Sequence, residues 1–220
     1  HNRKANYYTY NSQKRFILTV HFRNQLFNNN IYQLYQDLQE MDEGADIVSV
    51  LREKNKDNED SPFKDDTRTS DFSEIYLFFD YDFYRGYLET KNAQVRELLE
   101  YFNEETDSGR LYVSYPMIES IQYTKELPDS QFHTYAVKRE DSVGETFKKA
   151  ARRFCAYDGY AFLKDAENWR GLVEQHAMKA NLLTKGVHDW PLAKDDVAQM
   201  PLFEAQLEKH VLTNDEVAIL

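Results

Sequence analysis

The sequence predicts an α/β fold: a three-layer, parallel-sheet domain with a helical C-terminal region. Ile75–Phe79 and Leu111–Tyr115 are apolar runs of strand length, and helical periodicity lies between them. A strand, a helix and a strand at this spacing form a βαβ unit, whose strands are parallel. We therefore expect an α/β domain over residues 1–125 and a mostly helical region over 126–220 that packs on it and ends in a strand.

Two helices are predicted before the first of these strands. Ser12 can cap a helix that starts near Gln13 and continues to Phe27. Asn30, followed three residues later by Gln33, has the spacing of a capping box, so a second helix should begin at residue 31. Its apolar residues recur at helical spacing as far as Met41, and Gly44 is a suitable C-terminal residue for this helix.

Residues 46–73 consist of an apolar segment followed by a polar one. The apolar residues of Asp46–Leu51 predict a strand. Arg52–Ser73 is rich in charged and small polar residues and contains Pro62, which predicts a mobile, solvated loop.

The βαβ unit and the C-terminal helices follow from the spacing of apolar residues. The uninterrupted run Ile75–Phe79 is typical of a strand covered on both faces. Val95, Leu98, Leu99 and Phe102 trace one face of the intervening helix, and Pro116 ends the second strand. Three further apolar stripes predict C-terminal helices, with Phe147–Phe154, Trp169–Leu183 and Leu202–Val211 as their extents.

Composition excludes several classes of protein. The chain has 220 residues, and 27 Lys and Arg against 38 Asp and Glu give a net charge of -11, which excludes a uniformly basic nucleic-acid-coating surface. Acidic proteins still act on nucleic acids through bound divalent metals. Cys155 is the single cysteine, which fits a reducing, cytoplasmic compartment. No apolar run approaches the roughly 18 residues of a membrane span, so no membrane partner is expected.

The strongest candidate for chemistry is the pair Asp80 and Asp82. Residues i and i+2 of a strand point to the same side, so both carboxylates should project just beyond the carboxyl end of a buried parallel strand. Open α/β sheets bind their ligands at that edge. Paired carboxylates repel unless a cation lies between them, and their hard oxygen atoms suit Mg²⁺ or Mn²⁺. A capping role for Asp80 with a merely solvated Asp82 is the structural alternative.

Glu119 is the second candidate. It follows the next strand in Ser114–Ser120, and adjacent parallel strands end at the same edge of a sheet, so Glu119 could approach the Asp80 and Asp82 site. Its alternative role is a carboxylate in the first turn of a short helix, where the helix dipole favours it. Lys91, Arg96 and Lys179 are candidates to neutralise phosphate, although an ordinary surface role is the favoured interpretation for each of them.

These motifs resemble the second half of a TOPRIM domain. The segments "IYLFFDYD", "LLEYFNEETDSGRLYVSYPMIES" and "NWRGLVEQHAMKAN" are similar to bacterial proteins of the TOPRIM-like anti-phage defence type, and the resemblance covers Ile47–Ser120 with one helix beyond. It implies a Rossmann-like parallel sheet, and Asp80 and Asp82 match the metal-binding aspartates of the family. It also implies a divalent-metal-dependent nuclease, acting on nucleic acid with a protein partner such as an ATPase subunit.

The resemblance also implies a catalytic Glu after an earlier strand that ends in Glu-Gly. Asn6–Tyr10 contains no such pair, so that strand is expected upstream of His1, or else the site is incomplete. In the reading with an intact site, Asp80, Asp82 and Glu119 would be the catalytic and metal-binding residues.

Two competing interpretations stay open. The segment "LFFDYDFY" is also similar to the haloacid-dehalogenase phosphatases, with Lys194–Asp196 as a counterpart of their late Lys and Asp residues, although Phe83 and Tyr84 stand where that family has a small pair. Alternatively, the chain is a non-catalytic sensor or partner-binding subunit on a degenerate α/β scaffold. Its many tyrosines would suit a protein interface, with Tyr7, Tyr8, Tyr10, Tyr84 and Tyr87 as examples.

Overall fold

The computed structural model describes residues 4–9, 16–21, 30–41, 44–83 and 88–220, the first two ranges by their backbone alone. The fold is mixed α/β and 55% helical, with small sheets. Of the tyrosines considered as interface residues, Tyr10, Tyr84 and Tyr87 lie outside the described residues.

The described residues contain seven strands and seven α-helices. The strands are β1 (Lys4–Thr9), β2 (Phe16–His21), β3 (Tyr76–Asp80), β4 (Asn103–Glu104), β5 (Gly109–Ser114), β6 (Ala136–Lys138) and β7 (Glu216–Ala218). The helices are α1 (Ile31–Glu40), α2 (Ile47–Lys54), α3 (Leu88–Tyr101), α4 (Gly144–Phe154), α5 (Ala166–Lys185), α6 (Gln199–Gln206) and α7 (Leu212–Asn214). A π-helical turn, Leu207–Val211, joins the last two helices.

The helix predicted from Gln13 to Phe27 is wrong where the structure describes it. Phe16–His21 forms strand β2 and pairs antiparallel with β1, from Thr9 opposite Phe16 to Lys4 opposite His21. The aromatic and β-branched residues of this segment favour a strand once a partner supplies the ladder of hydrogen bonds. The rest of the predicted helix lies outside the described residues.

The two helices that follow show how one capping residue decides between helix and strand. The Asn30 side chain accepts a hydrogen bond from the backbone N–H of Gln33 at 2.9 Å, which confirms the predicted start of α1. The predicted strand at 46–51 is wrong, because the Asp46 side chain caps α2 through the N–H of Ser49 at 2.8 Å. The buried residues of α2, Ile47, Val48 and Val50, therefore share a helical face.

The loop after α2 is irregular, as predicted, but it is not wholly solvated. Ser61, Phe63 and Thr67 are buried. The Phe63 and Phe72 rings stack with centroids 6.0 Å apart, and the Arg52 guanidinium donates to the carbonyl of Thr67 at 3.1 Å. These contacts hold the loop against the body of the protein.

The predicted βαβ unit is confirmed. Strands β3 and β5 are parallel, with Phe78 opposite Tyr112 and Asp80 opposite Ser114, and β4 adds antiparallel to the other side of β5. Helix α3 connects β3 to this hairpin, and its buried residues are Asn92, Val95, Leu98 and Leu99.

One face of this sheet is open, contrary to the expectation of a strand covered on both faces. Leu77 and Phe79 point into the core, while Tyr76 is 47% exposed and Phe78 is 69% exposed. The Phe78 ring stacks on Tyr112 of the neighbouring strand with centroids 5.3 Å apart. The apolar run therefore contains both a core face and an exposed aromatic face.

The described residues pack into two hydrophobic clusters. The first, which we call the α/β core, lies between the sheet and helices α1, α3 and α6, and includes Leu111 and Phe203. The second, which we call the C-terminal core, consists of Met117, Phe132, Val137, Phe147, Ala151 and Ile219. Strand β7 and the residue after it join the two cores, because Val217 and Ala218 belong to the α/β core and Ile219 to the C-terminal core.

The predicted C-terminal helices and final strand are confirmed. Strand β7 pairs antiparallel with β6, and Leu220 exchanges two backbone hydrogen bonds with Tyr115, at 2.8 and 2.9 Å. Helix α5 passes very close to the chain at Leu127. A Cβ added to Gly171 would lie 2.8 Å from the Leu127 carbonyl carbon, so only glycine allows this approach.

Candidate functional site

Asp80 is the last residue of β3, and Asp82 lies two residues beyond it. Two buried rings fix this chain end. Tyr81 donates a hydrogen bond to the Asn92 side chain at 2.8 Å, and its ring packs 5.8 Å from that of Phe83. With these neighbours turned into the core, Asp80 shares the exposed side of the sheet with Phe78.

The Asp80 carboxylate is partly compensated. Its Oδ1 atom accepts a hydrogen bond from the backbone N–H of Ile118 at 2.9 Å. Burial raises the pKa of Asp80, and the charge of Glu119 raises it further, whereas the Ile118 hydrogen bond and the Lys148 charge lower it. Burial is the largest of these effects, so the pKa of Asp80 is raised overall.

Asp82 is the less compensated of the two acids. Burial and the nearby charge of Asp80 raise the pKa of Asp82 to about 6. Among the described residues, no donor makes a hydrogen bond to its carboxylate, although its backbone carbonyl accepts one from the Tyr32 hydroxyl at 2.8 Å. Lys91 lies beside this contact, with its Nζ atom 4.4 Å from the centre of the Tyr32 ring.

Glu119 approaches the pair, and it also has the predicted alternative position in the first turn of a short helix, Ile118–Gln122. Its side chain is largely buried, and its Oε1 atom lies 3.7 Å from Lys148 Nζ. Its Oε2 atom is enclosed and has no hydrogen-bond partner. A buried carboxylate oxygen without a partner is costly, so this site would gain from a further donor or cation.

The three carboxylates form a row rather than a closed cluster. Asp80 interacts electrostatically with both Asp82 and Glu119. In the described ranges there is no group of three His, Cys, Asp or Glu side chains arranged to hold one metal ion. The two aspartates still fit a Mg²⁺ ion, which is commonly bound by one or two carboxylates, with waters and substrate phosphates completing its octahedron.

Two of the three residues predicted to neutralise phosphate have other partners in the structure. Arg96 forms a two-pronged ion pair with Glu204, at 2.6 and 3.0 Å. Lys179 is 1% exposed and donates to the backbone carbonyls of Phe132 and Tyr135, so it cannot reach a phosphate. The cation beside the carboxylates is instead Lys148, which the sequence analysis missed. The run "KKAARR" around it was the available signal.

The three acids are half-buried or buried rather than fully exposed. A cleft of about 510 Å³ lies elsewhere, lined by residues of α1 and α3 such as Tyr35 and Tyr101 together with the chain at Gly44, and it contains none of the three acids.

Lys194 and Asp196, which the phosphatase interpretation needs, contact other residues of the protein. Lys194 Nζ lies 3.6 Å from Glu105, and Asp196 accepts a hydrogen bond from the N–H of Ala193 at 3.0 Å. Their described contacts therefore give no support to the haloacid-dehalogenase interpretation.

Comparisons with known protein families, curated proteins and solved structures find no match for this chain. In the described part of the chain, no helix combines the length and apolar character needed to cross a membrane.

Proposed function

We propose that this protein is a divalent-metal-dependent phosphodiesterase that acts on nucleic acid. The observation that carries the proposal is the pair Asp80 and Asp82 at the carboxyl end of a parallel strand, with Asp82 half-buried, its pKa raised and no described donor to its carboxylate. Proteins retain such a destabilising arrangement at sites where a cation or a reaction uses it.

Each residue has a defined part in this proposal. Asp80 and Asp82 would hold Mg²⁺ or Mn²⁺, and the bound ion would polarise a phosphodiester and lower the pKa of a coordinated water. The Ile118 N–H orients the Asp80 carboxylate. Glu119, with one oxygen atom near Lys148 and the other without a partner, would hold a water at the edge of the site.

The finer features of the TOPRIM resemblance belong to this proposal. They are the three-layer parallel sheet, the role in phage defence and the ATPase-type partner. The catalytic Glu of that family has no counterpart in the described strand β1, which contains no Glu. We propose that Glu119 contributes the third carboxylate of this site.

Thermal unfolding in the presence of metal tests the proposal. A ligand that binds only the folded state stabilises it by about 2.7 kcal/mol at a hundredfold excess over its Kd. We expect Mn²⁺ and Mg²⁺ to raise the melting temperature at pH 7.5, and we expect Asp82→Asn and Asp80→Asn to abolish the shift. Asp66→Asn, which changes an exposed loop acid, should keep it.

The pH dependence of the metal effect provides an independent check. Because the pKa of Asp82 is about 6, its carboxylate gains a proton as the pH falls through that value, and metal stabilisation should decline in the same range. Cleavage of labelled DNA and RNA oligonucleotides should show the same metal and Asp82 dependence. No melting shift with either metal, together with no cleavage, would refute the proposal.

A second candidate is a non-catalytic, partner-binding subunit. It is favoured by the absence, among the described residues, of a three-ligand metal group. This alternative would be supported if metal addition left the melting temperature of the protein unchanged, and if Asp82→Asn had the same melting temperature as the unaltered protein.

A further inference from the structure

Helix α4 concentrates positive charge on an acidic protein. The chain has a net charge of -11, yet α4 contains Lys148, Lys149, Arg152 and Arg153 within six consecutive residues. Glu145 is its one acidic residue. This helix therefore presents a local field opposite in sign to that of the whole protein.

The four cations occupy the outward half of the helix. At about 100° per residue, they span an arc of about 140° centred opposite Phe147 and Ala151. Both of these apolar residues are fully buried, and Phe147 stacks on Tyr123 with ring centres 5.8 Å apart. The apolar face is therefore used within the C-terminal core, so α4 has no free apolar face to insert into a bilayer.

The basic face is available and adjoins the carboxylate row. In the described part of the chain, no carboxylate forms an ion pair with Lys149, Arg152 or Arg153. Lys148 lies at the edge of the arc, 3.7 Å from Glu119. Tyr160, 47% exposed, interacts electrostatically with Glu119, Arg152 and Lys148. Basic residues thus extend from the carboxylates along the surface.

An aromatic pair lies beside the carboxylates, with Phe78 69% exposed and Tyr112 half-buried. Phe78 precedes Asp80 by two residues on the same side of β3, which corresponds to about 7 Å along a strand. Its ring stacks on Tyr112 with an interplanar angle of 17°. An exposed aromatic ring beside a basic surface is the usual platform for unpaired bases, because every base has a face that stacks on an aromatic ring.

We propose that the α4 basic face and the Phe78–Tyr112 pair form a binding surface for single-stranded nucleic acid. The cations of α4 contact the phosphates, and unpaired bases stack on the aromatic pair. The strand therefore crosses the Asp80, Asp82 and Glu119 row between these two features. The surface deepens the proposed function by naming its substrate class, but binding itself requires neither metal nor cleavage.

Fluorescence anisotropy with labelled oligo(dT) and oligo(U) of about 20 nucleotides, in EDTA, tests the surface. The double variant Lys149→Glu/Arg153→Glu reverses two outward cations that do not contact Glu119. We expect it to weaken binding at least about tenfold and to reduce the slope of log affinity against log salt by about 1.4. Phe78→Ser should weaken binding about tenfold at constant salt slope, since it removes stacking alone.

Matched controls separate this effect from general charge and exposure. Lys56→Glu/Lys64→Glu makes the same change in net charge in the loop region, and Leu212→Ser replaces another exposed apolar residue, 67% exposed. Both should bind as the wild type does. Equal weakening by the control charge reversal would refute the α4 assignment.

Binding and cleavage measured together distinguish the binding surface from the nuclease activity. Binding retained in EDTA, together with no cleavage by the unaltered protein in Mg²⁺ or Mn²⁺, supports the surface and refutes the nuclease. Metal-dependent cleavage with no oligonucleotide binding in EDTA refutes the surface and leaves the nuclease. Tighter binding to duplex DNA than to single strands, or binding to phosphatidylserine vesicles but not to oligonucleotides, would overturn the proposal.

Discussion

The α/β core and the C-terminal core are held together in different ways. The first is built from apolar side chains on regular strands and helices, with Ile31, Leu34, Val95 and Leu111 fully buried. The second has fewer apolar residues and is surrounded by buried polar groups. The Gln175 side chain accepts a hydrogen bond from the Asp129 N–H at 2.8 Å, and Lys179 donates to two backbone carbonyls.

The difference shows where stability is sensitive in each region. In the α/β core, lost packing is the main cost of a substitution, and it increases with the cavity left behind. Near the C-terminal core, the main cost is a polar group left without its partner. Apolar periodicity indicates the first kind of region and says little about the second.

The largest expected effect is in the α/β core. Leu111 is fully buried at the centre of β5, so Leu111→Ala removes packing on a strand that cannot readily collapse. We expect a loss of about 3 kcal/mol in the free energy of unfolding, measured by urea denaturation. The control Leu212→Ala, on an exposed residue, should change it by less than about 0.5 kcal/mol. A loss below about 1 kcal/mol for Leu111→Ala would contradict the picture of a tightly packed sheet.

The second effect tests the polar network. Gln175→Ala leaves the buried Asp129 N–H without its acceptor and removes a 3.4 Å contact to the Thr124 hydroxyl, which still donates to the Glu126 carbonyl. We expect a loss of about 2 kcal/mol, although little apolar surface is exposed. The exposed neighbour Glu174 provides the control, since Glu174→Ala should be nearly neutral. Equal effects of the two substitutions would mean that the network contributes nothing.

The third effect is a pH dependence of the free energy of unfolding, which arises from Lys179 beside the C-terminal core. Burial lowers the pKa of Lys179 from 10.5 to about 7. Above pH 7 the folded state releases this proton while the unfolded state keeps it, so stability should rise with pH, by at most about 1.4 kcal/mol per pH unit. Below pH 7 both states are protonated, and this contribution to the slope vanishes.

Denaturation at several pH values between 7 and 9 measures this contribution. Lys179→Met should flatten the profile, because no titrating group replaces the ammonium, whereas Lys185→Met, on an exposed residue, should not. His176 is close to Lys179, but burial lowers its pKa to about 3, so it stays neutral throughout this range. An unchanged slope in Lys179→Met would show that the Lys179 ammonium keeps its proton.

Apolar spacing was a good guide to the βαβ unit because its residues lie on continuous faces. Val95, Leu98 and Leu99 are buried as their helical spacing predicts. Asp46–Leu51 was misread because Ile47, Val48 and Val50 fit a strand and a short helix equally well, and the cap formed by Asp46 decided between them. The exposure of one side of β3 could not be predicted from its residue types, since the exposed Tyr76 and Phe78 are aromatic like the buried Phe79.

The candidate site was only partly predictable for a related reason. Asp80 and Asp82 follow a recognisable strand, so their position beyond its end could be predicted. Lys148 reaches Glu119 because helix α4 packs across the short helix Ile118–Gln122, and no local pattern encodes that contact. Lys179 was assigned to phosphate because charge alone does not reveal burial, which here depends on carbonyls more than forty residues away in sequence.

Strand β7 and the residue that follows it, Ile219, connect the two cores. Consecutive side chains, Ala218 and Ile219, enter different cores, while Leu220 is bonded to Tyr115 at the end of the sheet. A fluctuation that detaches this segment would expose apolar residues of both cores to water at the same time. The two regions should therefore share one cooperative transition, despite their different chemistry, and amides on both sides of β7 should exchange hydrogen through the same opening event.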